Sequence, residues 1–380
     1  MYTKIVLAIV FVFFINSSIF SQSKVGNSTG NTLSLSPSVS SLGMGEVGVS
    51  LANEKSMYLN PGCLGLYFKE NNLSLSGYPG NNEIFYINFF NASLSLPVKK
   101  YVPEESSLIY GIGFYYSNAY YFVEETNPYF PDGTGNFYKI SYKNYNLVLS
   151  GAYCDNFEIG SGLTIKYVDE NNFSVSASAV AFDWGVVARV PIVSKFNSGG
   201  LSLITIPAVG FSLSNFGDSY DINNSGYETD PEDGDLQGDI PTTTRYGFST
   251  EIGLQKNYDN GYKRKLLNLI LSHDWEKSDA LTEDARKIGW ELSLGEMVSL
   301  RAGKIYYDID TETLGFSLST KGIFRLFKSS YSVAKGNRRS FISFMQDKLE
   351  IKYSYAKNSY EDDYYPSVKY HELIANIALR

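Results

Sequence analysis

Cysteine and histidine are scarce in this 380-residue chain, with two of each. Cys63 and Cys154 are too few for a disulfide framework, and a bridge between them requires an oxidising compartment. Two separate buried thiols are the more ordinary expectation. His273 and His371 stand far apart with no third partner at a suggestive spacing, so neither a catalytic triad nor a zinc site is supported. Long apolar runs are missing as well. After residue 20 none is long enough to cross a bilayer as a helix, and the mean hydropathy of −0.16 excludes a helical membrane bundle. Positive charge is in deficit, at −8 net, which disfavours nucleic acid as a partner.

What the chain has is aromatic residues and glycine: 31 Tyr, 24 Phe and 33 Gly, with 43% hydrophobic and only 19% charged residues. A membrane β-barrel has this composition and escapes hydropathy scans, because each strand shows lipid only every second residue. A secreted soluble sandwich or propeller is the competing reading. The first residues address the compartment. Lys4 precedes the apolar run Ile5 to Ile15, and small residues follow at Ser17, Ser18, Ser21 and Ser23, the layout of a secretory signal peptide over 1–21.

From Asn72 onward the sequence is a series of alternating segments separated by turns. Phe157, Ile159, Leu163, Ile165 and Tyr167 alternate with Glu158, Gly160, Gly162, Thr164 and Lys166. Tyr246, Phe248, Ile252 and Leu254 alternate in the same way with Arg245, Gly247, Ser249 and Glu251. Each segment therefore has one apolar and one polar wall, which suits either a lipid-facing barrel or a soluble sandwich. Counting segments gives about fourteen strands, an even number as bacterial barrels require. The expected fold is all-β: a transmembrane antiparallel barrel over 71–380, preceded by an N-terminal segment over 22–70. Long connections after the third, seventh and thirteenth strands would face outward, and tight turns such as 154–156 and 295–297 would face the periplasm. Residues 321–346 fit badly, being too long for a periplasmic turn. They read as an amphipathic helix at the rim or as an extra hairpin that would make sixteen strands.

One stretch is unlike the rest. Between Ser36 and Gly65 lie Leu42-Gly43-Met44-Gly45, Val49, Leu51-Ala52-Asn53, Tyr58, Asn60-Pro61 and Leu64. In that order these residues resemble the hatch motif of the FadL, PorV and PorQ class of outer-membrane barrels. The pattern departs at Ser41, where that class has Arg, at Glu46, where it has Gly, and at Gly62-Cys63, where Ala-Gly is usual. The resemblance implies a non-enzymatic barrel without cofactor, its lumen plugged by a hatch that includes Gly43, Met44, Gly45, Asn60 and Pro61. Ahead of it Gln22 to Leu35, rich in Ser, Gly and Asn, reads as irregular or tethered under the barrel.

Two functions follow from the resemblance. In one, the barrel binds or passes hydrophobic small molecules, which leave sideways through a gap in the wall near the third strand. Gly111 and Gly113 would bend that strand, and Tyr110, Phe114 and Tyr116 would meet the ligand, although the glycines equally well relieve crowding in the lumen. In the other, the barrel is an accessory scaffold of type IX secretion that engages exported proteins. An apolar tunnel would favour passage, and a polar lumen with a tightly held hatch would favour the scaffold. Outer-membrane lipid is a partner in both, while the ligand, protein partners and oligomeric state stay open. For metals the sequence offers only the acidic loop around Asp230, Glu232, Asp233 and Asp235, a weak calcium candidate whose EF-hand order is broken.

Overall fold

The computed structural model describes Leu33 and residues 38–53, 56–67, 72–81, 86–98, 107–124, 137–172, 175–196, 200–217, 220–224, 237–238, 240–257, 263–279, 281, 283–307, 309–326, 349–360 and 367–378. The expected signal peptide and the acidic residues Asp230, Glu232, Asp233 and Asp235 lie outside them.

Fourteen strands form the wall. In chain order they are β1 (Asn72–Asn81), β2 (Tyr86–Val98), β3 (Ser107–Glu124), β4 (Phe137–Cys154), β5 (Glu158–Asn172), β6 (Val175–Arg189) and β7 (Leu201–Gly217). The second half comprises β8 (Thr243–Asn257), β9 (Lys263–Ser278), β10 (Ala285–Leu294), β11 (Val298–Tyr306), β12 (Thr311–Ser319), β13 (Leu349–Tyr360) and β14 (Val368–Ala378). Each pairs antiparallel with its sequence neighbours, including β6 with β7 and β7 with β8. β14 pairs back onto β1, from Asn72 opposite Ala378 to Gly77 opposite Leu373. This last pairing closes the ring, so no edge is left exposed. Short strands extend it at Ile192–Lys195, paired with β7, and at Tyr220–Asn224 and Gln237–Gly238, paired with each other.

β12 pairs directly with β13, from Thr311 opposite Tyr360 to Ser319 opposite Lys352, so the intervening segment adds no strand to the wall. It opens instead as a short helix, Thr320–Leu326, and its remainder lies outside the described residues. The sixteen-strand alternative is thereby corrected to fourteen. The β10–β11 connection is tight for a visible reason. Gly295 and Glu296 have φ of 58° and 59°, as the two central residues of a type I′ hairpin turn require.

Alternation along the strands separates inside from outside with inverted polarity. On β5, Leu163, Ile165 and Tyr167 are 37%, 39% and 46% exposed, whereas Thr164 and Lys166 between them are 0% and 4% exposed. The same holds for exposed Tyr246 and Phe248 on β8 against buried Arg245 and Ser249, and for exposed Leu271 on β9 against buried Ser272 and Asp274. A soluble sandwich buries the opposite set, since it gains by removing apolar area from water. An apolar outside and a polar inside match a wall standing in lipid.

At one place the ladder is broken on purpose. Register shifts between Phe182 and Trp184 where β6 meets β7, and Asp183 at the break is fully buried. Asn215 opposite takes φ 60°, donates its backbone N–H to Asp183 at 2.8 Å, and accepts from Lys166 Nζ at 2.7 Å. The bulge aims Asp183 at Lys166, 2.9 Å away, so the two charges neutralise each other inside the barrel.

Candidate functional site

The N-terminal segment 38–67 lies within the ring and touches walls on opposite sides of it. It begins with a one-turn helix, Val39–Leu42, whose N-cap Ser38 accepts from the Ser41 N–H at 3.1 Å. The turn that follows presses directly on the wall. A Cβ placed on Gly303 would stand 2.3 Å from Gly45 N, and one on Gly289 would stand 1.9 Å from Met44 O. Gly43 meets Gly315 in the same way, with 3.0 Å to its Cα. Three consecutive strands, β10, β11 and β12, thus offer bare backbone to the Gly43-Met44-Gly45 turn, an approach that only glycine permits.

On the far side Asn60, Pro61 and Gly62 repeat the arrangement on β5 and β6. A Cβ on Gly162 would come 2.5 Å from Pro61 O, and one on Gly185 would come 2.1 Å from Asn60 Oδ1. Asn60 itself is fully buried, donating from Nδ2 to Val49 O at 2.8 Å and to Val186 O at 2.9 Å. Its Oδ1 accepts from Gly62 N–H at 3.0 Å, which closes the turn leading to the short helix Cys63–Tyr67. The five motif residues therefore serve as two backbone footings, on walls facing each other across the lumen.

Between the footings, wall side chains bind the segment's backbone. Asp274 on β9 accepts from Gly48 N–H at 2.6 Å and Val49 N–H at 3.0 Å through one carboxylate oxygen. Gly247 on β8 leaves the space for it, since a Cβ there would lie 2.1 Å from Asp274 Oδ1. Ser212 donates to Leu59 O at 2.6 Å, Ser249 to Ser50 O at 3.4 Å, and Arg189 to Leu66 O at 3.2 Å. Glu46, at φ 59°, pairs with Lys287 at 3.1 Å; Lys287 also holds Glu276 at 2.7 Å, and Glu276 holds Arg245 at 2.8 Å. The departure from the motif at position 46 thus ties the segment to a buried charge chain in the wall.

Two apolar clusters complete the contact. Val39, Leu42, Met57, Tyr58 and Leu64 pack on Tyr115, Val148 and Ala356, with the Tyr58 and Tyr115 rings edge to face at 4.4 Å. Cys63 and Leu66 pack on Ile109, Ala152, Cys154 and Val187. The two thiols share this cluster without a disulfide between them. Burial pushes the Cys63 thiol well above its ordinary range.

The third strand is paired along both sides among the described residues. β3 pairs with β2 from Leu108 to Tyr120 and with β4 from Ser107 to Glu124, both without a register shift. Gly111 and Gly113 face the segment: Cβ atoms there would lie 2.8 Å from Leu64 and 3.0 Å from Met57 Sδ. They make room for the segment. Tyr110 and Phe114 are exposed on the outer surface and Tyr116 shares that face, so none of the three meets anything in the lumen.

Of the residues from Gln22 to Leu35, Leu33 alone is described. Leu33 packs against Val168, Ala177, Ala179, Ala181 and Ile240, a cluster toward the outward ends of β5 and β6 and the long connection between β7 and β8. Leu33 is therefore within the outward half of the barrel. Sequence reasoning placed several wall glycines on the polar face but missed that they and Asp274 meet the backbone of the segment; their recurrence on that face of several strands was the available signal.

No group of three or more His, Cys, Asp or Glu able to hold a metal occurs among the described residues. The inverted polarity of a closed, even-stranded antiparallel wall decides the compartment. The chain is a bacterial outer-membrane barrel.

No protein-family model and no curated protein matches the chain. Among solved structures it is similar to a Pseudomonas aeruginosa FadL homologue, at 11% identity and TM-score 0.41, covering 90% of this chain and 98% of that one. It is also similar to the Pseudomonas putida toluene transporter TodX, at 10% identity and TM-score 0.37 over 94% and 98% of the two chains. The β domain of the Bordetella autotransporter BrkA aligns at 10% identity and TM-score 0.38 over 82% and 100%.

Proposed function

We propose that this barrel binds or passes hydrophobic small molecules across the outer membrane, with residues 38–67 as the plug that gates it. The supporting observation is the apolar patch of Val168, Ala177, Ala179, Ala181 and Ile240 on the lumen wall, apart from the apolar clusters that pack on segment 38–67. Such a patch, covered by Leu33 of the same chain, gives an apolar solute a place to exchange polar surroundings for apolar ones. Passage then requires the plug to leave at least one of its footings, since in this state it touches both walls.

A second reading has an observation of its own. Backbone footings, the Asp274 bonds and the Lys287 chain hold the plug tightly in a polar lumen, which favours a scaffold that engages exported proteins without opening. Purification from outer-membrane fractions in mild detergent, followed by mass spectrometry of co-purified small molecules and proteins, separates the two. Recovery of apolar compounds that are lost on Ala179→Asp substitution supports passage. Recovery of exported proteins alone, unaffected by that substitution, overturns it.

A further inference from the structure

The outer surface of β13 and β14 carries an arrangement that neither plug nor passage uses. Lys357 on β13 and Lys369 on β14 are directly opposite each other, near the ends of their strands that bear the outward connection. Both belong to the outward row, because Ser354, Ala356 and Asn358 on β13 and Glu372, Ile374 and Asn376 on β14 are the buried ones. Opposed residues on neighbouring strands bring their Cβ atoms within about 5.5 Å, and like charges there repel. Neither lysine forms an ion pair with any described acid, in contrast to Lys304 nearby, which pairs with Asp310 at 2.9 Å.

Beneath the lysines, toward the membrane centre, lies an aromatic platform. Tyr355 and His371 rings meet at 5.2 Å, Phe316 and Tyr355 at 5.3 Å, and Tyr353 Oη lies 2.7 Å from His371 Nδ1. Beside it Leu314, opposite Lys357, and Leu373 are 61% and 58% exposed, the most exposed of the described large apolar side chains. Two cations with Leu314 beside them, then the aromatic ledge, then Leu373 follow one another along the strands away from the outward connection.

We propose that this face binds a membrane lipid with a phosphorylated headgroup, the phosphate bridging Lys357 and Lys369 beside Leu314 and the acyl chains lying over the aromatic ledge and Leu373. A bridging anion turns the repulsion of the opposed lysines into two charge-assisted contacts, which ordinary snorkelling of each cation into water does not. The ledge matches the amphipathic rings found at headgroup depth in membrane proteins.

Native mass spectrometry of the detergent-purified full chain tests this, with a phosphorylated lipid and an uncharged lipid of the same acyl chains as probes. The wild type is expected to retain the phosphorylated lipid selectively. Lys357→Gln with Lys369→Gln is expected to weaken retention roughly 30-fold, the effect of removing two cations beside an anionic lipid. The double arginine variant is expected to retain it, and heat-modifiable gel migration verifies that each variant is a folded barrel. Equal retention of both lipids by the wild type, or unchanged retention by the double glutamine variant, overturns the proposal. Inorganic phosphate displacing the lipid at equal concentration also overturns it, because the site would then recognise a free anion.

Discussion

Replacing Asp274 by Ala isolates the bond that holds the middle of the plug. The side chain is 2% exposed and accepts from two backbone N–H groups, Gly48 at 2.6 Å and Val49 at 3.0 Å. Without it both donors stay buried without a carboxylate, at about 1–3 kcal/mol each, so plug seating weakens by roughly 2–6 kcal/mol. Lys287 keeps Glu46 and Glu276, so the substitution leaves no cation stranded nearby. Cys63 reports on seating, because it is fully buried between plug and wall and its thiol is held protonated by that burial. In a Cys154→Ser background it is the single thiol, and maleimide reaches it only when the plug lifts. A loss of about 3 kcal/mol raises the open fraction, and with it the labelling rate, roughly 150-fold. A labelling rate within twofold of the parent, in a variant that still shows heat-modifiable migration, refutes the assignment of Asp274 as the plug's anchor.

Three further outcomes follow from the same geometry. Gly303→Val places a side chain where Met44 and Gly45 backbone stands at 2.3 Å, so the wall is expected to assemble with its plug unseated, read as Cys63 labelling at the rate of unfolded chain. The raised Cys63 thiol gives seating a pH dependence. Its contribution is complete below the unfolded thiol's pKa of about 8.5 and falls by about 1.4 kcal/mol per unit above it. Conductance in planar bilayers should therefore rise above that pH in the parent and stay flat in Cys63→Ala. Lys166→Met strands Asp183 in the bulge and is expected to cost about 3–5 kcal/mol, seen as a lower denaturation temperature on heat-modifiable gels; Lys166→Met with Asp183→Asn should recover most of it.

Strands were legible because a wall between lipid and a polar lumen imposes a period of two at every step. Leu163, Ile165 and Tyr167 against Thr164 and Lys166 announced both the strand and its two faces. The turn at Gly295 and Glu296 was legible for the same local reason. What alternation cannot carry is which remote backbone a lumen glycine meets. Gly111 and Gly113 suggested a bend, yet their neighbours are Met57 and Leu64, some fifty residues earlier in the chain, and nothing local distinguishes the two causes. Asp274 was hidden likewise, since its partners Gly48 and Val49 lie 226 and 225 positions away. The motif residues Gly43, Met44, Gly45, Asn60 and Pro61 were visible as a cluster, and their footings were not. Those footings are glycines scattered over β5, β6, β10, β11 and β12, and only closure of the ring assembles them.

The central claim is an apolar wall in lipid around a polar, plugged lumen, and spin-label accessibility along β5 in proteoliposomes tests it most directly. Labels at 163, 165 and 167 should collide readily with oxygen dissolved in the bilayer, while labels at 164 and 166 should be shielded both from oxygen and from a water-soluble nickel complex. Oxygen accessibility that does not alternate, or that peaks at 164 and 166, would contradict the account.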